Sequence, residues 1–171
     1  MKPHYTLHYT LPIIDLDTIM EVTGRTKQDN YSDRIIQQMA DENSHLAEYL
    51  GVIIRMSEDA YINLDTSFPR KVCCIAYDAL RMQASKQGTW FPLVSLRATK
   101  LADLEVERQG NERYSDISFD RIEKYNPLLL KKIMDYCCDY SKEPELGVSA
   151  VTFMRIHDAL LFQSIINGKK S

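Results

Sequence analysis

Polar and apolar side chains alternate strictly over the first residues of the chain. The tetrapeptide HYTL occurs twice in succession within residues 4–11. Thr and Tyr favour strands, and a period of two gives a strand one apolar and one polar face. The pattern predicts a β-strand, or N-terminal arm, over residues 1–12, which Pro12 ends because proline cannot donate to a sheet ladder. On a strand His4 and His8 lie about 13 Å apart, too far to share a metal ion.

After this segment the apolar positions recur at steps of three and four residues, which predicts helices. Asp15 or Asp17 can cap a first, short helix that ends near Gly24. The apolar side of this helix carries Leu16, Ile19, Met20 and Thr23. Ser32 can cap a second, long helix that continues to about Tyr61, because its apolar spacing persists throughout.

Prolines mark the starts of two later helices. Pro69 fits the first turn of a helix that Gly88 closes. Asn126 followed by Pro127 predicts a cap and a first helical position. Ser149 is the expected cap of the last helix. Together these signals predict a mainly α fold, a bundle of about five helices with a short N-terminal strand.

Residues 89–118 carry two competing patterns. Leucines at helical spacing favour a helix, whereas alternating charged and apolar residues at 101–107 favour a strand. We predict an exposed loop or hairpin over 89–118, with a small hairpin at about 93–108. The predicted organisation is an N-terminal arm (1–12), a helical domain (13–143) and a C-terminal helix with a tail (144–171).

Composition and charge restrict the function classes. The chain has 171 residues, of which 44% are hydrophobic and 26% charged, enough to build a core. The net charge is −3 and the basic residues form isolated pairs, so tight, sequence-specific DNA binding is not expected. The sequence predicts neither a membrane span nor a signal peptide, and we expect the chain to be made in a cytoplasm.

The cysteines form two adjacent pairs, Cys73 with Cys74 and Cys137 with Cys138. Neighbouring residues on a helix point about 100° apart, so neither pair can clamp a metal ion well. Free cysteine is often buried as a small apolar side chain. We therefore predict four buried thiols and no metal site formed by them.

Two histidine–carboxylate pairs have the residue types of a metal or catalytic site. Glu42 and His45 have the spacing of a di-iron ligand pair, but the sequence has no second copy of that motif. His157 and Asp158 resemble half of a metal-dependent phosphohydrolase signature, again without partners at a suitable spacing. Phosphate loops and nucleophile elbows are not found. The sequence thus predicts no enzyme, no metal and no cofactor.

The order of the segments resembles a known family. A turn, TGR at residues 23–25, is followed by HLAEYLGVIIRM at 45–56, FPRKVCCIAYDALRMQ at 68–83 and ATKLADLEVER at 98–108. This order is similar to the head-to-tail connector (adaptor, or head-completion) proteins of tailed phages. In that family an extended K-[IL]-G-D-x-x-V-like stretch follows a proline-initiated helix. Lys100 to Val106 occupies that place, with Ala102 where the family has glycine.

The resemblance, over about residues 15–140, implies a structural virion protein. Such proteins form a homo-oligomeric ring, here a homo-dodecamer, beneath the portal protein and bind tail or further neck proteins. Double-stranded DNA passes through the lumen without specific binding, which a mildly acidic chain suits. We expect this chain in the virion, with no membrane contact. The candidate interface residues are Tyr5, Leu7, Tyr9, Leu11, Trp90, Phe91, Leu101, Leu104 and Val106.

The N-terminal strand has two possible partners. A lone strand has unpaired backbone groups on both edges, which addition to a neighbouring subunit would satisfy. A hairpin with residues near 93–106 of the same chain would satisfy them equally well. Both partners of the strand fit the sequence.

Three alternative functions follow from other features. Residues 146–162 resemble a helix-turn-helix of a DNA-binding regulator, in which Ser149 would start the recognition helix. A metal enzyme would require Glu42 and His45 to meet His157 and Asp158. The third alternative is a helical adaptor of cellular origin.

Overall fold

The computed structural model describes residues 8–139 and 142–168, and over those residues the chain forms eight α-helices and no β-strand. The helices are α1 (Leu16–Arg25), α2 (Tyr31–Glu42), α3 (Ser44–Ala60), α4 (Ser67–Gln87), α5 (Leu96–Gln109), α6 (Asn111–Tyr125), α7 (Pro127–Asp139) and α8 (Glu145–Gly168). The mainly helical class is confirmed, although the helices are more numerous than predicted.

Local signals placed several helix ends correctly. The side chain of Asp15 accepts a hydrogen bond from the backbone N–H of Thr18 at 2.9 Å and caps α1. Pro69 lies in the first turn of α4, and Gly88 ends that helix in the left-handed region at φ +66°. Helix α7 begins at Pro127, as predicted.

The predicted long helix from Ser32 to Tyr61 is two helices, because Asn43 breaks it. The buried side chain of Asn43 donates to the carbonyl of Pro92 at 2.8 Å and accepts from the N–H of Val94 at 2.9 Å. These bonds fix the junction to the segment that follows α4. The apolar spacing continues through the break because α2 and α3 both pack on the same core.

The loop predicted at 89–118 is confirmed only for residues 89–95, and the hairpin predicted at about 93–108 is wrong. Helix α5 occupies most of the predicted hairpin, and α6 follows after Gly110, whose φ is +75°. The side chain of Ser95 caps α5. Helix α5 buries Ala98, Ala102 and Val106, which repeat every four residues and face the core as small side chains. The extended stretch that the resemblance implied at residues 100–106 is therefore helical.

Helices α4 and α8 form the centre of the bundle and make its most extensive helix–helix contact. Helix α8 also packs against α3, α5 and α6, and it is apolar on nearly all sides, as a central helix must be. It begins four residues before Ser149, which is buried inside the helix. The predicted cap at Ser149 is wrong, since the apolar positions extend back to Val148 and Leu146.

Helix α8 is the longest of the helices, but it carries buried polar groups, including His157 and Asp158. Within residues 8–139 and 142–168, the structure has no helix with both the length and the apolar character needed to cross a bilayer.

Candidate interaction surfaces and a buried polar network

The N-terminal segment is held against the body of the same chain by a buried polar network. The hydroxyl of Tyr9 lies 2.9 Å from Nε2 of His157 on α8, and its ring stacks on Tyr125 with centroids 5.3 Å apart. The carbonyl of Thr10 accepts a hydrogen bond from Ser164, also on α8, at 3.2 Å. The segment therefore packs where α6 and α7 meet α8.

Asn126, between α6 and α7, is the centre of this attachment. Its Nδ2 donates to the hydroxyl of Tyr9 at 2.9 Å and to the carbonyl of Pro12 at 2.8 Å. Its Oδ1 accepts from the backbone N–H of Ile14 at 2.9 Å. The sequence predicted Asn126 at the start of α7, which is where it lies, but its side chain bonds residues that are distant in sequence.

Asp158 anchors the inner end of the network. Its carboxylate accepts from the hydroxyls of Tyr114 at 2.8 Å and Ser118 at 2.7 Å, and lies 3.0 Å from Nδ1 of His157. Because a carboxylate accepts only, Nδ1 of His157 carries the proton that lies between it and Asp158. Burial acts to raise the pKa of Asp158, but the hydrogen bond and charge of His157 and the bond from Ser118 hold it below its ordinary value.

The predicted N-terminal strand is wrong over residues 8–12, which form no regular structure. The polar groups of this segment bond to side chains of the same chain. Tyr9 is held by these contacts, and the alternating pattern of the sequence does not require a sheet. The proposed hairpin partner at 93–106 is largely helical. The first seven residues, with Tyr5 and Leu7, lie outside the described residues.

The other predicted interface residues occupy three kinds of environment. Leu11 and Val106 belong to the chain's own core. Phe91 and Leu101 are partly buried, and Phe91 packs edge-on against Tyr77 with centroids 5.3 Å apart. Trp90 is 98% exposed and Leu104 is 57% exposed, so these two are available to partners.

A first apolar surface lies on α1, whose predicted apolar side is only partly buried, because Ile19 packs against the core but Leu16 and Met20 do not. Helix α1 buries Thr18 and Val22, whereas Leu16 and Met20 point to solvent. The hydroxyl of Thr18 donates to Oε1 of Gln83 on α4 at 2.6 Å, so the buried side of α1 combines this polar anchor with the apolar Val22. The apolar ridge of an amphipathic helix is thus left without a partner in the monomer.

Ile13, which precedes α1, lies beside the segment between α4 and α5. Ile13 and Trp90 line one concavity together with Pro12 and Ser164. We define the α1–linker surface as the exposed apolar residues Ile13, Leu16, Met20, Trp90 and Leu93. The sequence predicts Trp90 as an interface residue, but it predicts that Leu16 and Met20 lie on the apolar side of α1, which normally faces a core.

A second surface is a groove between α3 and α5 with α8 at its base. We define the α3/α5 groove by its lining residues His45, Glu48, Tyr49, Val52, Ile53, Met56, Leu96, Thr99, Lys100, Asp103, Val106, Glu107 and Arg155. A shallower concavity continues from it between α3 and α8, and shares Ile53, Met56 and Arg155 with it. Val52 and Met56 are exposed in the wall formed by α3.

The groove carries one polar cluster in its floor. Oδ1 of Asp103 accepts from the hydroxyl of Tyr49 at 2.7 Å and from Nη1 of Arg155 at 2.8 Å. Burial and the hydrogen bond to Asp103 raise the pKa of Tyr49, so its hydroxyl remains a neutral donor. The cluster can position a ligand but contains no nucleophile with a base beside it.

The metal-enzyme alternative required histidines and carboxylates that the structure keeps apart. His45 lies beside Thr99 at 3.2 Å, and Glu42 accepts hydrogen bonds from Tyr77 and Arg81. His157 is buried in the network described above. In the described part of the chain no group of three or more histidines, cysteines or carboxylates could hold a metal ion.

The cysteine prediction is correct for three of the four residues. Cys73, Cys74 and Cys137 are buried, whereas Cys138 is exposed, and all four are free thiols. Burial raises the pKa of Cys74 to about 12 and that of Cys137 to about 11. Both thiols are therefore protonated and unreactive at neutral pH.

The helix-turn-helix alternative does not fit the position of α8. Ser149 lies inside this helix, not at its start, and Phe153, Leu160 and Leu161 are buried. A recognition helix must present an exposed face to the bases.

Comparison with known proteins identifies no relative, because no family model, curated protein or solved structure matches the chain.

Proposed function

We propose that this chain is a structural subunit that associates with copies of itself into a ring, and that the ring joins capsid to tail at the portal of a tailed-phage particle. Three parts of this proposal rest on the resemblance of residues 15–140 to connector proteins: the phage particle, the portal and tail partners, and the dodecameric ring. The observation that carries the self-association is the exposure of Leu16 and Met20, four residues apart on α1.

The α1–linker surface has the composition of an interface centre. Leu16 and Met20 are 61% and 65% exposed, and Trp90 is almost fully exposed. Burying one large apolar side chain stabilises by about 1.5–3 kcal/mol, and Trp is enriched among residues that dominate binding energy. Isolated exposed apolar residues are ordinary on protein surfaces, and in this proposal Leu16 and Met20 act together with Ile13 and Trp90, which share a concavity.

A closed ring needs two different surfaces on each subunit, since head-to-tail contacts are heterologous. The α1–linker surface supplies one of them in this proposal. Leu104, exposed on α5 and outside the α3/α5 groove, belongs to the second. The net charge of −3 supports a lumen that lets DNA slide, because a strongly basic lumen would hold the phosphates.

The self-association is tested by light scattering and native mass spectrometry at increasing protein concentration. We expect wild-type chain to form a concentration-dependent oligomer, and Met20→Glu to abolish it by placing a charge in an apolar contact. Ile62→Glu is the matched control, since Ile62 is 92% exposed but lies away from α1, in the α3–α4 connection. Equal self-association of the two variants would contradict the proposal.

The place in the particle is tested separately by gene order. A gene located between portal or capsid genes and tail genes supports the virion role. A gene among cellular genes supports the alternative of a cellular helical adaptor, which would use the same α1–linker surface.

A further inference from the structure

We propose that the α3/α5 groove binds an amphipathic helix with a basic polar face, supplied by a different protein. The groove has the form that receives a helix: two helical walls, α3 and α5, with Tyr49, Ile53 and Arg155 at the base. This binding goes beyond ring formation and does not depend on it, because its residues are separate from the α1–linker surface.

The apolar part of the groove follows one wall along its length. Val52 and Met56 are exposed along α3, and Tyr61, which follows α3, and Val151 of α8 line the concavity that continues from the groove. From Glu48 to Tyr61 the wall is about 20 Å long at the helical rise, which matches three to four turns of a partner helix. Helices that bind in such grooves place apolar residues at i, i+3 or i+4, and i+7.

The charge of the groove selects a basic partner. Arg155 and Asp103 pair with each other in the floor. The remaining charged lining residues are Glu48 and Glu107 against Lys100, which leaves an excess of one negative charge. Lys and Arg at the margins of a bound helix would pair with these carboxylates and fix its register.

The same charge argues against a second copy of this chain in the groove. The exposed ridge of α1 is flanked by Asp17 and by Glu21, and although Glu21 pairs with Lys86 at 2.8 Å, Asp17 would meet Glu48 and Glu107 as a like charge. Nucleic acid is disfavoured for the same reason. A basic helix from another protein satisfies both the apolar wall and the acidic margins.

Binding can be measured by fluorescence anisotropy with labelled synthetic helices of about 14 residues. One peptide carries leucines at i, i+4, i+7 and i+11 with lysines elsewhere, a second carries glutamates in place of lysines, and a third is a scramble of the first. We expect the wild-type chain to bind the first peptide and to bind the other two at least tenfold more weakly.

Two matched variants locate the binding. Met56 and Leu104 are 58% and 57% exposed, but only Met56 lines the groove. We expect Met56→Glu to weaken binding of the lysine peptide at least tenfold and Leu104→Glu to leave it unchanged. Glu48→Lys combined with Glu107→Lys should weaken it as well. In a spectrum of methionine methyl groups, the peptide should shift the signal of Met56 and not that of Met20.

No binding of the lysine peptide by wild-type chain, or equal binding of the scrambled peptide, would overturn the proposal. Equal affinities of Met56→Glu and Leu104→Glu would do the same. The ring proposal is judged independently, because Met20→Glu alters self-association and leaves the groove intact.

Discussion

The hydroxyl of Tyr9 and Nε2 of His157 lie 2.9 Å apart, although 148 positions separate the two residues in sequence. The contact joins the start of the described chain to the central helix α8. Nδ1, the other ring nitrogen of His157, donates to Asp158. Residues 9–14 are consequently part of the folded body of the monomer.

Replacing Tyr9 by Phe should destabilise the fold while preserving the stack on Tyr125. The substitution leaves Nε2 of His157 and one N–H of the Asn126 amide without a partner, and a buried polar group left unpaired costs about 1–3 kcal/mol. Urea unfolding measures the difference. Tyr61→Phe, at an exposed tyrosine, is the control and should change the free energy of unfolding by less than about 0.5 kcal/mol. Equal stability of the two variants would contradict the role given to Tyr9.

The stability of the chain should fall in acid through Asp158. The pKa of this carboxyl is lower in the folded chain than its ordinary value, so the unfolded chain binds the proton more readily. Its contribution is fully present above about pH 4 and is lost as the pH falls from there through the folded-state pKa. Unfolding followed by circular dichroism between neutral and acid pH measures this slope.

Asp158→Asn should flatten that dependence on pH and destabilise the fold at neutral pH by about 3–5 kcal/mol, since one partner of a buried ionic network is removed. Asp116→Asn, at an exposed position, should retain the wild-type slope. An unchanged slope in Asp158→Asn would show that another group controls the acid transition.

Asn43→Ala should destabilise the junction of α2 and α3. The buried carbonyl of Pro92 and N–H of Val94 both lose their partner, at about 1–3 kcal/mol for each group. Ser44→Ala, at the next and exposed position, is expected to change stability by less than about 0.5 kcal/mol. Chemical denaturation of both variants tests this, and a wild-type midpoint for Asn43→Ala would refute the bridging role.

Two glycine substitutions should have opposite signs. Gly88 has φ +66°, where alanine is strained, so Gly88→Ala should cost about 1–2 kcal/mol. Gly51 lies within α3 with open space around an added Cβ, so Gly51→Ala should stabilise by about 0.5–1 kcal/mol. Thermal unfolding of the pair measures both effects. A loss of stability in Gly51→Ala would contradict the open space around this position.

The groove shows how a candidate site can be hidden in the sequence. One wall of the groove is visible in the sequence as a spacing of four residues along α3, at Glu48, Val52 and Met56. The opposite wall could not be recognised, because α5 was predicted as a hairpin from the alternation at 101–107. That alternation arises from charged residues such as Glu105, which is buried because Arg108 pairs with it at 2.9 Å.

The sequence by itself determined the helical class, the cap of α1 at Asp15, the end of α4 at Gly88 and the start of α7 at Pro127. These features depend on backbone conformation and on hydrogen bonds within a few residues, which local sequence specifies. Only the tertiary structure decided which side of α1 is buried, where Asn43 breaks a helix and what Tyr9 contacts. Those outcomes depend on partners such as Gln83, Pro92 and His157, which only the packing of distant helices brings within hydrogen-bond distance.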